Sequence, residues 1–269
     1  MAFEIESVLR EGAQKLTSRT GLLLVVFSIV LQLVGMVAMD SVFIDQYAEF
    51  VDRVTEFNPD LADWFDDPEE LYPFALDIPS WVASLLGIFV LVGTLLLTIM
   101  ALNAFAPVEV QPFGADLLGD RLGWVAINLL IGGIVFTIAW GIGLALFVVP
   151  GIFIFVVLIY FIMAVVVEQV SFIEAMRRSA SLTKGHRWTI FMLFLVVWIA
   201  AIALMIVVSA IQWFDQGVGQ ILMAIVVPFL TFYCYAITAS SYRYLVEAAE
   251  SNGTEPDEGS FDEFTPARA

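Results

Sequence analysis

The sequence predicts an all-α protein of the polytopic membrane class: a bundle of about six transmembrane helices with amphipathic helices at the membrane interface. Hydrophobic residues make up 61% of the 269-residue chain and charged residues only 14%, with a mean hydropathy of +0.92. Apolar runs near the roughly 20 residues that cross a bilayer recur along the chain. They predict spans at about 22–43, 80–104, 124–149, 152–168, 188–213 and 219–246.

The N-terminal segment, residues 1–21, has the pattern of a helix lying on the membrane surface. Glu6–Arg10 and Glu11–Lys15 are oppositely charged pairs four residues apart, in the order that stabilises a helix. Five apolar residues share one side at helical spacing: Ile5, Val8, Leu9, Ala13 and Leu16. We therefore expect an interfacial amphipathic helix.

Residues 45–79 form the largest segment between spans and carry eleven acidic residues against one base, Arg53. Apolar residues at helical spacing predict an amphipathic helix in its first half, and four prolines interrupt its second half. The segment is either a lid or cation-attracting mouth over a binding site, or a salt-tolerant acidic face resting on the membrane. The second interpretation needs no ligand and is preferred.

Only Pro150 and Gly151 separate the third span from the fourth. A tight hairpin at this dipeptide is the preferred interpretation, because one kinked helix over both stretches would far exceed the length that a bilayer needs.

The third span also carries a ridge of small residues, each four positions from the next: Gly133, Thr137, Gly141 and Ala145. Such a ridge lets a neighbouring helix backbone approach closely. The neighbour is either another helix of this chain, which is the preferred interpretation, or a second copy in a homo-oligomer.

Between the fourth and fifth spans, residues 171–187 predict a short basic interfacial helix. Ser171 and Glu174 form a capping box, and Gly185 is suited to a left-handed stop, so we expect a helix over about 172–184. Three residues at helical spacing form its predicted membrane-facing side: Ile173, Met176 and Ala180.

Four bases cluster on this segment: Arg177, Arg178, Lys184 and Arg187. Bases beside a charged leaflet attract anionic lipid headgroups, and they also retain a loop on the inner side of the membrane; both roles are compatible. Glu168 lies beside them. It is either a structural charge pair that fixes the interfacial helix, which is preferred, or a charge-paired hinge or headgroup site.

The stretch PGIFIFVVLIYFIMAVVVE, followed by EAMRRSASLTKGHRW, resembles polytopic proteins related to the glycerophosphoryl diester phosphodiesterase membrane domain. The specific part covers residues 150–188. The resemblance implies a multi-helix membrane domain of largely unassigned function, without phosphodiesterase activity. In that group the hydrolase is a separate soluble domain, for which 269 residues leave no room.

The net charge of −17, with only two lysines, indicates a protein solvated in high salt and hence a halophilic archaeal source. It argues against nucleic acid as a partner, because phosphate binding needs Lys and Arg. Cys234 is the single cysteine and His186 the single histidine, so no cysteine-based zinc site and no nucleophile–base pair can be assembled. We therefore expect no cofactor, no metal and no enzymatic activity.

The basic residues also predict the topology. With six spans and a cytoplasmic N-terminus, ten of the eleven bases lie inside and only Arg53 lies outside. This arrangement predicts a multi-pass protein of the cell membrane with both termini cytoplasmic. The membrane domain is then 22–246, and residues 247–269 form an acidic, disordered tail.

Three surface segments with an arginine near their end each precede a helical hairpin, which suggests a threefold internal repeat. The expected function is a non-catalytic structural, lipid-associated or accessory component of the membrane, with membrane lipids as partners. The alternative is a transporter or channel for a small or amphipathic solute. A membrane-embedded lipid enzyme is least favoured. No sequence feature identifies a protein partner or a substrate.

Overall fold

The computed structural model describes residues 5–65 and 67–251, apart from the side chains at 62–64. Within these ranges the chain forms helices and no β-strand. The α-helices are α1 (Ile5–Leu16), α2 (Arg19–Phe57), α3 (Pro68–Leu71), α4 (Ser80–Phe105), α5 (Leu122–Leu146), α6 (Val148–Leu158), α7 (Phe161–Val167), α8 (Phe172–Leu182), α9 (Arg187–Phe214) and α10 (Gln216–Ser251). Two short 3₁₀ helices lie at Pro59–Trp64 and Ala115–Leu118.

Six helical segments of the described chain are long and apolar enough to cross a membrane: α2, α4, α5, α6 with α7, α9 and α10. Large apolar side chains are exposed along them, including Phe89, Ile138 and Ile206. Apolar exposure of this extent suits contact with lipid tails rather than water. The predicted fold class, an all-α polytopic membrane protein, is confirmed.

The helices group into two compact units. The first unit contains residues 5–15, 102–195 and 235–251 of the described chain, and the second contains 16–101 and 196–234. The first unit therefore holds α1, the α5–α8 region and the last part of α10. The second unit holds α2 with the acidic segment that follows it.

In the first unit, α5 and α6 form the predicted hairpin, but the turn lies at Phe147 rather than at Pro150-Gly151. Pro150 is the third residue of α6, where a backbone N–H has no partner within the helix and proline is tolerated. Gly151 instead allows close packing, since a Cβ on Gly143 would lie 2.9 Å from Gly151 Cα.

The fourth span is not the single helix that the sequence predicts over 152–168. It breaks between α6 and α7, around Tyr160. The hydroxyl of Ser179 on α8 serves both sides of this break: it donates to the Val157 carbonyl (2.7 Å) and accepts from the Tyr160 N–H (3.2 Å). A buried side chain therefore replaces hydrogen bonds that the broken helix cannot make.

Helix α8 begins at Phe172, as the sequence predicts, and ends at Leu182, two residues before the predicted end at about 184. Ser171 Oγ accepts from the Glu174 N–H (3.3 Å), and Gly185 adopts a φ of +92° after the helix. Ile173, on the predicted membrane-facing side, is exposed, and the side that packs inside the protein carries Ala175, Ser179 and Leu182. The helix presents this side to α7 because the Ser179 hydroxyl is needed at the break.

In the second unit, α2 continues far beyond the predicted span 22–43. Its 39 residues correspond to about 58 Å, so it includes the amphipathic first half of the acidic segment. The rest of that segment folds back onto α2: Asp40 Oδ2 accepts from the Phe74 N–H (3.2 Å), and Ser41 Oγ accepts from the Leu76 N–H (2.9 Å). Asp66, one of the eleven acidic residues of this segment, lies outside the described residues.

The C-terminal boundary also differs from the prediction. Residues 247–251, assigned to the disordered tail, are the last part of α10. Glu247 Oε1 lies 3.5 Å from Arg243 Nε, one turn earlier, and this ion pair favours continuation of the helix. The remainder of the predicted tail, 252–269, lies outside the described residues.

Candidate functional site

The four bases near α8 separate into two pairs with different surroundings. Arg178 Nε lies 3.3 Å from Glu168 Oε1, and the Arg187 guanidinium lies over the Phe153 ring, 5.0 Å from its centre. Both side chains are therefore engaged within the first unit. A salt bridge and a cation–π contact of this kind hold neighbouring helices together.

The other two bases, Arg177 and Lys184, are exposed. Neither side chain forms a hydrogen bond or an ion pair with the part of the chain that the structure describes. Trp188, also exposed, follows within a few residues. Two unengaged cations near an exposed indole have the chemistry of a membrane interface.

Glu168 is the C-cap of α7 and connects three helices. Besides its pairing with Arg178, its Oε1 accepts a short hydrogen bond from the Tyr242 hydroxyl of α10. Tyr242 is buried and its ring lies against Tyr160, with 5.8 Å between ring centres. This geometry joins the end of α7 to α8 and α10, as a structural pair would.

Within the part of the chain that the structure describes, the two glycines of the small-residue ridge have no close neighbour. A Cβ added to Gly133 or Gly141 would meet nothing within 4 Å, and Thr137 and Ala145 are exposed. The preferred prediction, close packing inside this chain, finds no support in these contacts and stays a prediction. The close approaches of α5 use the other side of the helix, where Gly132 contacts α7 and α8 and Gly143 contacts α6. The homo-oligomer alternative stays untested.

A further group of charged side chains lies inside the first unit, where the sequence predicts only a surface pair. Lys15 Nζ lies 3.0 Å from Glu11 Oε1 and donates to the Phe105 carbonyl, 2.5 Å away. Glu11 also accepts from Ser240 Oγ (3.0 Å) and from Arg243 Nη2 (2.9 Å) on α10. We call Glu11, Lys15, Ser240 and Arg243 the Glu11 cluster.

The Glu11 cluster is largely removed from solvent, and the Lys15 side chain is only 2% exposed. Burial alone would raise the pKa of Glu11, but the hydrogen bond and charge of Lys15, with Arg243 and Ser240, lower it below its usual value. Burial lowers the pKa of Lys15, and Glu11 opposes that shift. The cluster therefore fastens α1 to the end of α4 and to α10 through charges that depend on one another.

The sequence contained a signal for this cluster that the prediction missed. Lys15 follows Val8 by seven residues and Gly12 by three, so the three share one side of α1, and all are buried. Ala13, assigned to the apolar side, is exposed. Of the two predicted ion pairs on α1, Glu11–Lys15 forms, whereas none joins Glu6 to Arg10 within the described ranges.

Across the described residues, no three histidine, cysteine or acidic side chains converge closely enough to hold a metal ion. The acidic segment is held to α2 by backbone N–H groups and by ring contacts such as Tyr47–Tyr72, with 5.9 Å between centres. The described residues of this segment therefore form no cluster that could hold a cation.

A family model described as a domain of unknown function, DUF7847, matches residues 3–245. The chain belongs to this family. The match includes both compact units, from α1 to the last part of α10. A search of curated proteins and a search of solved structures gave no match. The DUF7847 description assigns no activity, so the function must be argued from the geometry above.

Proposed function

We propose that this DUF7847 protein is a non-catalytic, lipid-associated component of the cell membrane that binds an anionic lipid headgroup at α8. Its N- and C-termini lie in the cytoplasm under this proposal, with α8 at the inner leaflet. The acidic composition and the scarcity of lysine support a halophilic archaeal origin. The resemblance of residues 150–188 to the phosphodiesterase membrane-domain group supports a membrane role without hydrolysis.

The division of the four bases supports the proposal most directly. Arg178 and Arg187 hold the local fold, while Arg177 and Lys184 extend from it without partners in the described chain. A cation that has no structural role inside the protein is available to a phosphate oxygen. Near an anionic leaflet each such base contributes about 1 kcal/mol of attraction.

The distribution of the remaining bases supports the proposed orientation. Arg53, the only base assigned to the outer side, pairs with Glu49 at 2.6 Å in the acidic stretch of α2, and both side chains are exposed. Of the ten bases assigned to the inner side, Arg268 lies outside the described residues, and the other nine lie in or near α1, at the start of α5, in or near α8, or near the end of α10. Such an asymmetry is typical of loops retained in the cytoplasm.

Native mass spectrometry of the delipidated protein with phosphatidylglycerol or phosphatidylcholine tests the proposal. The wild type is expected to retain phosphatidylglycerol preferentially. The double variant Arg177→Gln/Lys184→Gln removes about 2 kcal/mol of attraction, so its affinity for phosphatidylglycerol should fall by about thirtyfold. Arg178 is left intact because it also holds Glu168.

The matched control is Arg10→Gln/Arg19→Gln, which removes two exposed cations whose side chains form no hydrogen bond or ion pair in the described chain. It should retain phosphatidylglycerol as the wild type does. If both double variants lose phosphatidylglycerol equally, the retention depends on the net charge of the protein and not on Arg177 and Lys184. Equal retention of the two lipids by the wild type would contradict the proposal.

A further inference from the structure

The second unit contains a cavity of about 350 Å³ among α2, α4, α9 and α10. Its size is near the lower end of the range for small-molecule sites. Three amide side chains and three thioethers contribute to its wall: Gln32, Gln212, Gln220, Met36, Met39 and Met223. None of the lining residues is charged, and the remainder of the wall is aliphatic.

The local fold brings two of these amides together. Helix α9 ends at Phe214, and the Val218 N–H donates to Asp215 Oδ1 (2.9 Å) at the start of α10. Gly219 then packs directly against Gln212. The approach is so close that a Cβ on Gly219 would lie only 2.4 Å from Gln212 Cα. This tight turn places Gln212 beside Gln220 at the cavity.

Gln220 has a fixed orientation. Its side-chain amide donates to the Asp40 carboxylate, which is only 7% exposed and also accepts from the Phe74 N–H. The amide nitrogen is thus committed to Asp40. The other end, Oε1, is buried and accepts no hydrogen bond from the described residues. A buried carbonyl without a donor is costly, and the cost is higher in a membrane, where water is scarce.

This geometry selects the chemistry of a ligand. Gln220 Oε1 is an acceptor, so the ligand must supply a hydroxyl or N–H donor. An anion is unfavourable there because it would face the partial negative charge of a carbonyl oxygen. A cation would leave water for a wall without charged side chains, which is unfavourable, and the Asp40 carboxylate behind Gln220 already accepts hydrogen bonds from Gln220 and Phe74. The aliphatic and methionine side chains accommodate an apolar body, and methionine adapts readily to different shapes.

We propose that this cavity is a binding site for a small uncharged amphiphile whose hydroxyl or amide donor hydrogen-bonds to Gln220 Oε1. The apolar part of the ligand lies along Met36, Met39 and Met223. The site belongs to the second unit and is independent of the headgroup proposal, which concerns α8 in the first unit.

Photolabelling of the protein in phosphatidylcholine nanodiscs tests the site. The probe is a decanol that carries a diazirine, and its methyl ether is the matched comparison because it has the same carbon chain and no donor. The alcohol should label fragments of α2 or α10 that contain the cavity residues, and unlabelled decanol should compete. The ether should label the same fragments about tenfold less, since it leaves Oε1 unpaired.

Two variants localise the effect. Gln220→Leu removes the acceptor and should reduce labelling by the alcohol to the level of the ether. Gln46→Leu, an exposed glutamine of α2 away from the cavity, should label as the wild type does. Equal labelling of the wild type by the alcohol and the ether would overturn the proposal, even if Gln220→Leu does not fold. Unchanged labelling in folded Gln220→Leu, or labelling confined to other fragments, would also overturn it.

Discussion

Helices α1 and α8 have nearly the same description in the sequence: each is short, amphipathic, mixed in charge and adjacent to a span. Their lengths are 12 and 11 residues. In the structure, α1 buries a charged residue, Lys15, whereas α8 buries a neutral one, Ser179. Glu11 and Lys15 of α1 thus hold this helix to α4 and α10, while Arg177 on α8 and Lys184 just after it remain at the surface.

The two buried polar residues nevertheless perform the same physical task. The Lys15 amine satisfies the carbonyl of Phe105, the last residue of α4, and the Ser179 hydroxyl satisfies backbone groups at the break between α6 and α7. Helix ends leave such groups unpaired, and a cation is favoured at a helix C-terminus. The side that a short amphipathic helix buries therefore depends on the helix ends that it covers.

The largest effect is expected from Glu11→Ala, which leaves Lys15 and Arg243 without their shared carboxylate. Loss of one partner from a buried ionic group is strongly destabilising, so we expect the free energy of unfolding to fall by about 3 kcal/mol. Thermal unfolding in detergent measures the change. Glu6→Ala removes an exposed acid from the same helix and should change stability by less than about 0.5 kcal/mol. Similar values for the two variants would show that the Glu11 cluster does not hold α1.

A smaller effect is expected from Ser179→Ala on α8. The variant leaves the Val157 carbonyl and the Tyr160 N–H without their bridging hydroxyl, at a cost of about 1–3 kcal/mol. Ser181→Ala is the matched control, because Ser181 is exposed and bonds only to a carbonyl of its own helix. If the two serine variants melt at the same temperature, the hydroxyl at the helix break contributes nothing.

The smallest expected effect is a pH dependence of stability, which α1 should show through Glu11 and α8 should not show through Ser179. Burial raises the pKa of Glu11, but Lys15, Arg243 and Ser240 together lower it below the usual 4.5. The folded protein therefore binds this proton less readily than the unfolded chain does. The stabilisation is complete above pH 4.5 and is lost as the pH falls through the folded pKa.

Melting curves between neutral pH and pH 3 measure this difference. The deficit of Glu11→Gln relative to the wild type should shrink below pH 4.5. The deficit of Ser179→Ala should stay constant, because a hydroxyl does not titrate there. A pH-independent deficit for Glu11→Gln would contradict an ionised Glu11 in the folded state.

Much of the fold could be predicted from local pattern. The six spans follow from apolar length, and Ser171 and Gly185 bound α8 because capping chemistry acts within a few residues. The predicted position of the hairpin turn was wrong because proline is compatible with two different local structures. Pro150 suits a turn and also the first turn of a helix, and the structure uses it in the helix.

The candidate site was only partly predictable. The four bases near α8 were visible as a group, but which two are engaged depends on Glu168 and Phe153 from other helices. Likewise, the ridge at Gly133 and Gly141 satisfies the spacing for close packing, yet the contacts of α5 use Gly132 and Gly143. Spacing defines the sides of a helix but does not determine which side meets a neighbour.

The sequence by itself determined that the chain is helical, that six of its segments are long and apolar enough to cross a membrane, and where the short helix α8 begins. These properties depend on hydrophobic length and on hydrogen bonds between near neighbours in the chain. Only the tertiary structure decided that Glu11 and Lys15 are internal and that Gln32, Gln212 and Gln220 line one cavity. The reason is that burial of a polar group depends on partners far away in sequence, such as Arg243 for Glu11 and Asp40 for Gln220.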